Sequence, residues 1–168
     1  ENPLQIVNKY AEWCAAYKED QVTVIYDTMW DGTAAIAHEI AREINRQSPD
    51  TVVKVLNIAK TDKNEIMTEV FKSKAIAVGS PTAENNILST VAGWLTFLKA
   101  LRFKNKKAAA FGCYGWSGEG VGILKNLLKD AGFTVIDEEV KSLWNPDDDD
   151  FRKVPALVSS LRCLIWRS

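Results

Sequence analysis

Histidine is nearly absent from this chain, which has one, His38, in 168 residues. A transition-metal site built mainly from imidazole groups therefore cannot be assembled from this chain alone. The three cysteines, Cys14, Cys113 and Cys163, lie far apart and form no Cys-x-x-Cys pair. Neither a disulfide framework nor a zinc site is expected, and a reducing, cytoplasmic compartment is favoured.

Long apolar runs and a strong net charge are also missing. No apolar stretch approaches the roughly 20 residues that a membrane-spanning helix needs, and the N-terminus shows no signal-peptide pattern. The net charge of −1 gives no support for binding nucleic acid. We therefore expect a cytoplasmic domain with a substantial core that binds neither a membrane nor nucleic acid.

What is present is an abrupt change of pattern around residues 22–33. A β-branched run ends at Thr28, a polar turn follows, and an apolar-periodic helix begins after Thr33. A strand, a turn and a helix in this order point backbone N–H groups at an anion. The glycine-rich signatures of nucleoside-triphosphate and dinucleotide sites are both absent, which leaves a monophosphate held by neutral groups. The same residue types also make ordinary turns and helix caps, so that interpretation stays open here.

Strands and helices alternate along the rest of the chain. After the first run at 22–28, further apolar runs lie at 52–58, 75–79 and 108–112. A fifth begins at 133–136 and resumes around 140–143. Each run is followed by a helical pattern. The last helix is predicted to begin at Asn145-Pro146, and an additional helix over residues 2–18 precedes the first strand. This alternation predicts an α/β fold with a doubly wound, five-stranded, mainly parallel sheet that is covered by helices on both faces. The flavodoxin-like strand order for such a sheet is 2-1-3-4-5.

Three loops with special compositions follow the first, third and fourth strands, which are neighbours in this order. Ligands of such sheets bind beyond the carboxyl ends of the strands, so the loops are expected to meet at one crevice. The first loop suits a phosphate, the loop Ser80–Asn86 suits a polar heterocycle, and the loop 113–120 offers two aromatic faces among glycines. Flavin mononucleotide (FMN) consists of a phosphate, a ribityl chain and an isoalloxazine ring, so it could occupy the three loops. The alternative for Trp116 is that it is a partly buried packing residue with no ligand.

The chain resembles the flavodoxin domain of the flavodiiron proteins, the oxygen- and nitric-oxide-reducing A-type flavoproteins. Three segments carry the resemblance: Tyr26-Asp27-Thr28-Met29-Trp30 through Thr33, Ser80-Pro81-Thr82 with Asn85, and Phe111-Gly112 followed by Tyr114-Gly115-Trp116-Ser117. It extends over nearly the whole chain and is most specific at Gly-Trp-Ser. It implies a flavodoxin-like fold with an N-terminal linker helix (residues 1–20) and an FMN-binding domain (residues 21–168). The linker is similar to the segment that joins this domain to a metallo-β-lactamase-like partner.

The resemblance also implies which residues bind FMN. The phosphate loop comprises Thr28, Met29, Asp31, Gly32 and Thr33, with Trp30 flanking the ribityl chain or the ring. The ring edges are matched by Ser80, Pro81, Thr82, Ala83, Glu84 and Asn85 on one side and by Gly112, Cys113, Tyr114, Gly115 and Trp116 on the other. Cys113 is expected to contribute its backbone. Ala83 and Glu84 depart from the family pattern, in which a larger apolar residue and Asn are frequent at these places. A small residue would expose more of the ring, and a carboxylate would oppose negative charge on reduced flavin.

The implied function is an electron-transfer module that has no catalytic or metal-binding residues of its own. A rubredoxin-like protein or a reductase would donate electrons, and a diiron domain would accept them. The chain alone is not expected to reduce oxygen or nitric oxide rapidly, and a homodimer is left open. The alternatives are a flavin-dependent NAD(P)H:quinone reductase and a flavin-free interaction module of the same fold.

Overall fold

A computed structural model of the chain describes residues 3–14 and 17–163 and shows one large sheet between two helical layers. The helices are α1 (Pro3–Cys14), α2 (Gly32–Gln47), α3 (Lys63–Lys72), α4 (Ser89–Leu101), α5 (Gly120–Asp130), α6 (Asp148–Phe151) and α7 (Val154–Cys163). The strands are β1 (Glu19–Tyr26), β2 (Val52–Asn57), β3 (Ser73–Gly79), β4 (Thr82–Ala83), β5 (Asn86–Ile87), β6 (Lys107–Tyr114) and β7 (Thr134–Leu143). No helix in these two ranges is both long and apolar enough to cross a membrane.

The sheet has the order β2-β1-β3-β6-β7, and all four neighbouring pairs are parallel. Counting only the five long strands, this is the predicted order 2-1-3-4-5, so the doubly wound flavodoxin-like fold is confirmed. The carboxyl ends of β1, β3 and β6 are therefore adjacent at one edge of the sheet.

Successive side chains of the three central strands point to opposite faces of the sheet and contribute to two separate cores. In β3, Ala75 and Ala77 face the layer formed by α2 and α7, whereas Ile76 and Val78 face α3, α4 and α5. The most apolar strand is thus buried on both faces, as expected for a central parallel strand. In the sequence, the apolar residues 154, 157, 158, 161 and 165 recur at helical spacing and predict one buried stripe on the last helix. The structure buries this stripe on α7 through Val154, Leu157, Val158 and Leu161. Ile165, which was predicted to continue that stripe, lies outside the described residues.

Two predicted helix boundaries are wrong. The last helix does not begin at Asn145-Pro146, because the Asp147 carboxylate accepts a hydrogen bond from Asp150 N–H at 3.0 Å and caps a separate short helix, α6. The first helix does not reach Lys18, since α1 ends at Cys14 and the Tyr17 ring stacks on Phe71 at 5.5 Å. The division of the chain at residue 20 stays a prediction.

One lysine is buried at the amino-terminal edge of the sheet, opposite the predicted crevice. Lys106 is only 3% exposed, and its Nζ donates hydrogen bonds to the main-chain carbonyls of Tyr17, Phe71 and Ser73. Three carbonyls compensate much of the cost of burying an ammonium group. Burial, together with the charge of Lys18, lowers the pKa of Lys106 to about 8. This side chain joins the segment before β1 to α3 and β3.

We predict that Lys106 makes folding stability depend on pH in the alkaline range. Because its pKa is about 8 in the folded chain and about 10.4 in an unfolded one, the unfolded state binds more protons between these values. The free energy of unfolding therefore gains a term that rises with pH from about 8 to about 10.4. Urea titrations across this range should show the gain in the parent chain. A Lys106→Met variant with the same slope against pH would contradict the assignment.

Candidate functional site

The loop after β1 forms a recess at the amino end of α2. The first helical hydrogen bond of α2 runs from Ala35 N–H to Asp31 O, so the helix itself supplies no acceptors for the N–H groups of Gly32, Thr33 and Ala34. The hydroxyls of Thr28 and Thr33 are buried beside them, and neither has a hydrogen-bond partner of normal geometry, although the Thr33 hydroxyl lies close enough to the Cys113 thiol to lower the pKa of that thiol. A buried hydroxyl without a partner costs about 1–3 kcal/mol. The recess is therefore built for an acceptor that is absent from the chain itself.

The recess selects its ligand with neutral donors. None of the described residues that line it carries a positive charge. Asp31 lies at the N-cap of α2 with φ 61° and makes no capping bond through its side chain, which is exposed. Asp27 is buried behind the loop, where its carboxylate accepts hydrogen bonds from Thr28 N–H at 2.8 Å and from the Thr90 hydroxyl. Backbone donors, hydroxyls and the α2 dipole are the features that favour an anion here.

The loop after β3 contains a hairpin that the sequence patterns did not predict. Strands β4 and β5 pair antiparallel around Glu84 and Asn85, whose φ angles are 50° and 59°. Two residues of positive φ between paired strands are the geometry of a tight hairpin turn. The Glu84 side chain is exposed at the tip, and Asn85 Oδ1 accepts a hydrogen bond from the Ser117 hydroxyl at 3.0 Å. The hairpin is thereby tied to the third loop across the crevice.

Further hydrogen bonds fix the bases of the second and third loops. Ser80 N–H donates to Phe111 O at 3.2 Å, and the Ser80 hydroxyl accepts from Leu88 N–H at 3.0 Å. The Thr82 hydroxyl accepts from Gly120 N–H at 3.1 Å, at the start of α5. These hydroxyls are already used within the chain, unlike those of Thr28 and Thr33.

The third loop presents aromatic rings and a buried thiol. Trp116 is 87% exposed and Cys113 is buried, and both line the crevice. Burial raises the pKa of the Cys113 thiol to about 11, so the group is a neutral thiol near pH 7. This is consistent with the expectation that Cys113 offers its backbone, not a reactive sulfur.

The structure brings most of the predicted site residues to two adjoining depressions. Thr28, Met29, Trp30, Gly32, Thr33, Pro81, Thr82, Ala83, Glu84, Asn85, Cys113, Tyr114, Gly115 and Trp116 line one or both. Asp31, Ser80 and Gly112 do not. Asp31 faces solvent, Ser80 is fully buried, and Gly112 lies against the Ser80 carbonyl.

The structure adds Trp144, which the sequence analysis missed, to the lining of the crevice. Trp144 follows β7, and its indole meets Trp116 edge-to-face with ring centroids 5.0 Å apart. The sequence offered one signal, a large aromatic residue just before Asn145-Pro146 at the end of a strand. His38 lies elsewhere, exposed on α2 with its ring 6.0 Å from that of Tyr26. Within the described ranges, no three His, Cys, Asp or Glu side chains cluster so as to hold a metal ion.

These features fit FMN from end to end. The orphaned hydroxyls and the α2 N-terminus suit its phosphate, and the exposed Trp116 beside the hairpin suits a flat ring. Four residues, Met29, Thr82, Gly115 and Trp116, line both depressions, so one ligand can occupy the two together.

Comparisons with known proteins agree with this geometry. The flavodoxin family model matches residues 24–154. The anaerobic nitric oxide reductase flavorubredoxin of Enterobacter sp. (strain 638) is 46% identical over 149 residues, which cover 89% of this chain and 31% of that protein. The chain thus spans about a third of the length of the curated relatives that it matches.

Solved structures give the same result. The rubredoxin oxygen:oxidoreductase of Desulfovibrio gigas superposes with a TM-score of 0.88 at 32% identity, over 94% of this chain and 39% of that one. A flavodoxin from the domain Archaea superposes with a TM-score of 0.72 at 29% identity, over 84% of this chain and 95% of that one.

The close approach of the second and third loops leads to a prediction about Gly112. A Cβ atom at this position would lie 2.0 Å from the Ser80 main-chain oxygen, so Gly112→Ala must push the two loops apart. We expect the free energy of unfolding to fall by about 1–3 kcal/mol, measured by urea denaturation.

Gly122→Ala is the matched control. A Cβ atom there meets no heavy atom within 4 Å, and the residue lies inside α5. Alanine should therefore raise the free energy of unfolding by roughly 0.5–1 kcal/mol. Equal effects of the two substitutions would show that the Gly112 contact does not constrain the fold.

Proposed function

Because this chain belongs to the flavodoxin family, we propose that it is an electron-transfer module working with a flavodiiron-type oxidoreductase. It corresponds to the flavodoxin-like part of its flavorubredoxin and flavodiiron relatives, and it binds FMN. FMN supplies one- and two-electron redox chemistry when bound. The residues of the chain bind it, orient it and leave one side of the crevice open to a partner.

The observation that carries the proposal is the pair of buried, unpartnered hydroxyls beside the α2 N-terminus. Thr28 and Thr33 would donate to phosphate oxygens together with the first N–H groups of α2. The absence of a lysine or arginine among the described lining residues means that these neutral donors carry the recognition.

Partner roles are the finer part of the proposal. The D. gigas relative is by name a rubredoxin oxygen:oxidoreductase, and the bacterial relatives are nitric oxide reductases. We therefore propose a rubredoxin-like protein or a reductase as the donor, and a diiron domain as the acceptor. The exposed side chains of Met29, Trp30 and Trp116 give the open side of the crevice an apolar surface where such a partner can approach.

Replacing Thr28 and Thr33 together by valine tests the phosphate role. A hydrogen bond to a charged group contributes about 1.5–3 kcal/mol, so losing two should weaken FMN binding by about 150- to 20,000-fold. Riboflavin, which lacks the phosphate, should bind the parent and the variant almost equally. Flavin fluorescence titration of the full apoprotein measures both affinities.

The fold provides an internal check on this experiment. Valine removes two buried, unsatisfied hydroxyls, so the apoprotein should be no less stable in urea. The control is Thr96→Val, because Thr96 is exposed on α4, bonds to Ala92 O and lines neither depression. Equal losses of FMN and riboflavin affinity in the double variant would contradict a phosphate site.

Turnover assays separate electron transfer from the alternatives. We expect the FMN-loaded chain to show no NAD(P)H:quinone turnover above that of free FMN, and no rapid reduction of oxygen or nitric oxide. One histidine in the whole chain is too few for the mixed histidine–carboxylate set of a reactive diiron centre. Saturable quinone turnover would establish the reductase alternative. Purified chain that takes up no flavin would establish the flavin-free module.

A further inference from the structure

Trp144 occupies an unusual position at the end of β7. Its φ is 59°, in the left-handed region that large side chains rarely adopt. Its N–H donates to Tyr114 O at 2.7 Å, which connects it directly to the third loop. A tryptophan held in this conformation implies that its surroundings fix it there.

The indole of Trp144 supports the third loop from behind. A Cβ atom on Gly115 would lie 3.1 Å from two atoms of the Trp144 ring, so any larger residue there would push the indole away from the loop by a few tenths of an ångström. The same indole meets Trp116 edge-to-face at an interplanar angle of 71°, an arrangement that aromatic pairs prefer. Trp116 is otherwise 87% exposed, and Trp144 is the ring that contacts it.

The main chain of the same segment reaches the phosphate end of the crevice. A Cβ atom on Gly32 would lie 3.2 Å from Trp144 O and 3.4 Å from Asn145 Oδ1. Residues 144–145 therefore contact the first turn of α2 as well as the third loop. They form a fourth loop that connects the two ends of the site.

We propose that Trp144 is a positioning residue for the flavin, which holds the Trp116 indole in the geometry that receives the ring. The inference rests on flavin binding in this crevice. Trp144 acts through Trp116, so its contribution belongs to the ring and not to the phosphate. Removing it should weaken FMN and riboflavin by the same factor, in contrast to the loss of Thr28 and Thr33.

The test is a double-mutant cycle on the full chain, with FMN and riboflavin as ligands. Trp144→Gly removes the indole but suits the positive φ, whereas Trp144→Phe keeps an aromatic ring. We expect Trp144→Gly to weaken both ligands about 2- to 12-fold and to reduce the quenching of flavin fluorescence. Trp144→Phe should retain most of the affinity for each ligand and most of the fluorescence quenching. In a Trp116→Ala background, Trp144→Gly should have no further effect on either ligand.

Controls keep the outcome decisive. Leu143→Ala changes an equally exposed neighbour that does not line the crevice, and it should leave both affinities unchanged. If the glycine variant does not fold, Trp144→Asn replaces it, because asparagine tolerates a left-handed φ. If Trp144→Gly lowered the flavin affinities equally in the parent and in the Trp116→Ala background, the inference would be overturned and Trp144 would be a purely structural residue. Failure of the parent chain to bind any flavin would instead overturn the proposed function.

Discussion

The close approach of two strand ends is the constraint on which the crevice depends. β3 and β6 are parallel neighbours, and where they end the Gly112 backbone lies directly against the Ser80 carbonyl. This approach lets Ser80 N–H bond to Phe111 O, and the Ser80 hydroxyl then holds Leu88 at the start of α4. The hairpin and the aromatic loop face each other because their starting points are fixed this close together.

Unsatisfied hydrogen-bond donors favour binding at the other end of the crevice. Two hydroxyls and the first N–H groups of α2 lack acceptors within the protein's own hydrogen bonding, so the folded chain carries an unmet cost before any ligand arrives. A ligand that satisfies these groups recovers this cost as binding free energy. Donors fixed in advance by β1 and α2 also lose little conformational freedom on binding.

The alternating pattern of strands and helices was enough to predict a parallel sheet between helices, and the flavodoxin-like strand order then placed the three special loops together. Buried β-branched runs such as Val22–Ile25 have a periodicity that local sequence expresses directly. The hairpin at Glu84 and Asn85 was not predictable in this way, because neither residue is glycine and positive φ there depends on pairing across β4 and β5. Trp144 was missed for a similar reason, since its role comes from contacts with residues distant in the chain.

The carbonyl cage around Lys106 has a mechanical consequence. The ammonium group links Tyr17, where the chain enters the sheet, to Phe71 and Ser73 at the amino-terminal edge. The flavin crevice lies at the other edge, and the eight residues of β6 span about 26 Å between them. A pull on the segment before β1 would therefore act first on this anchor, at the end of the sheet opposite the loops that bind the flavin.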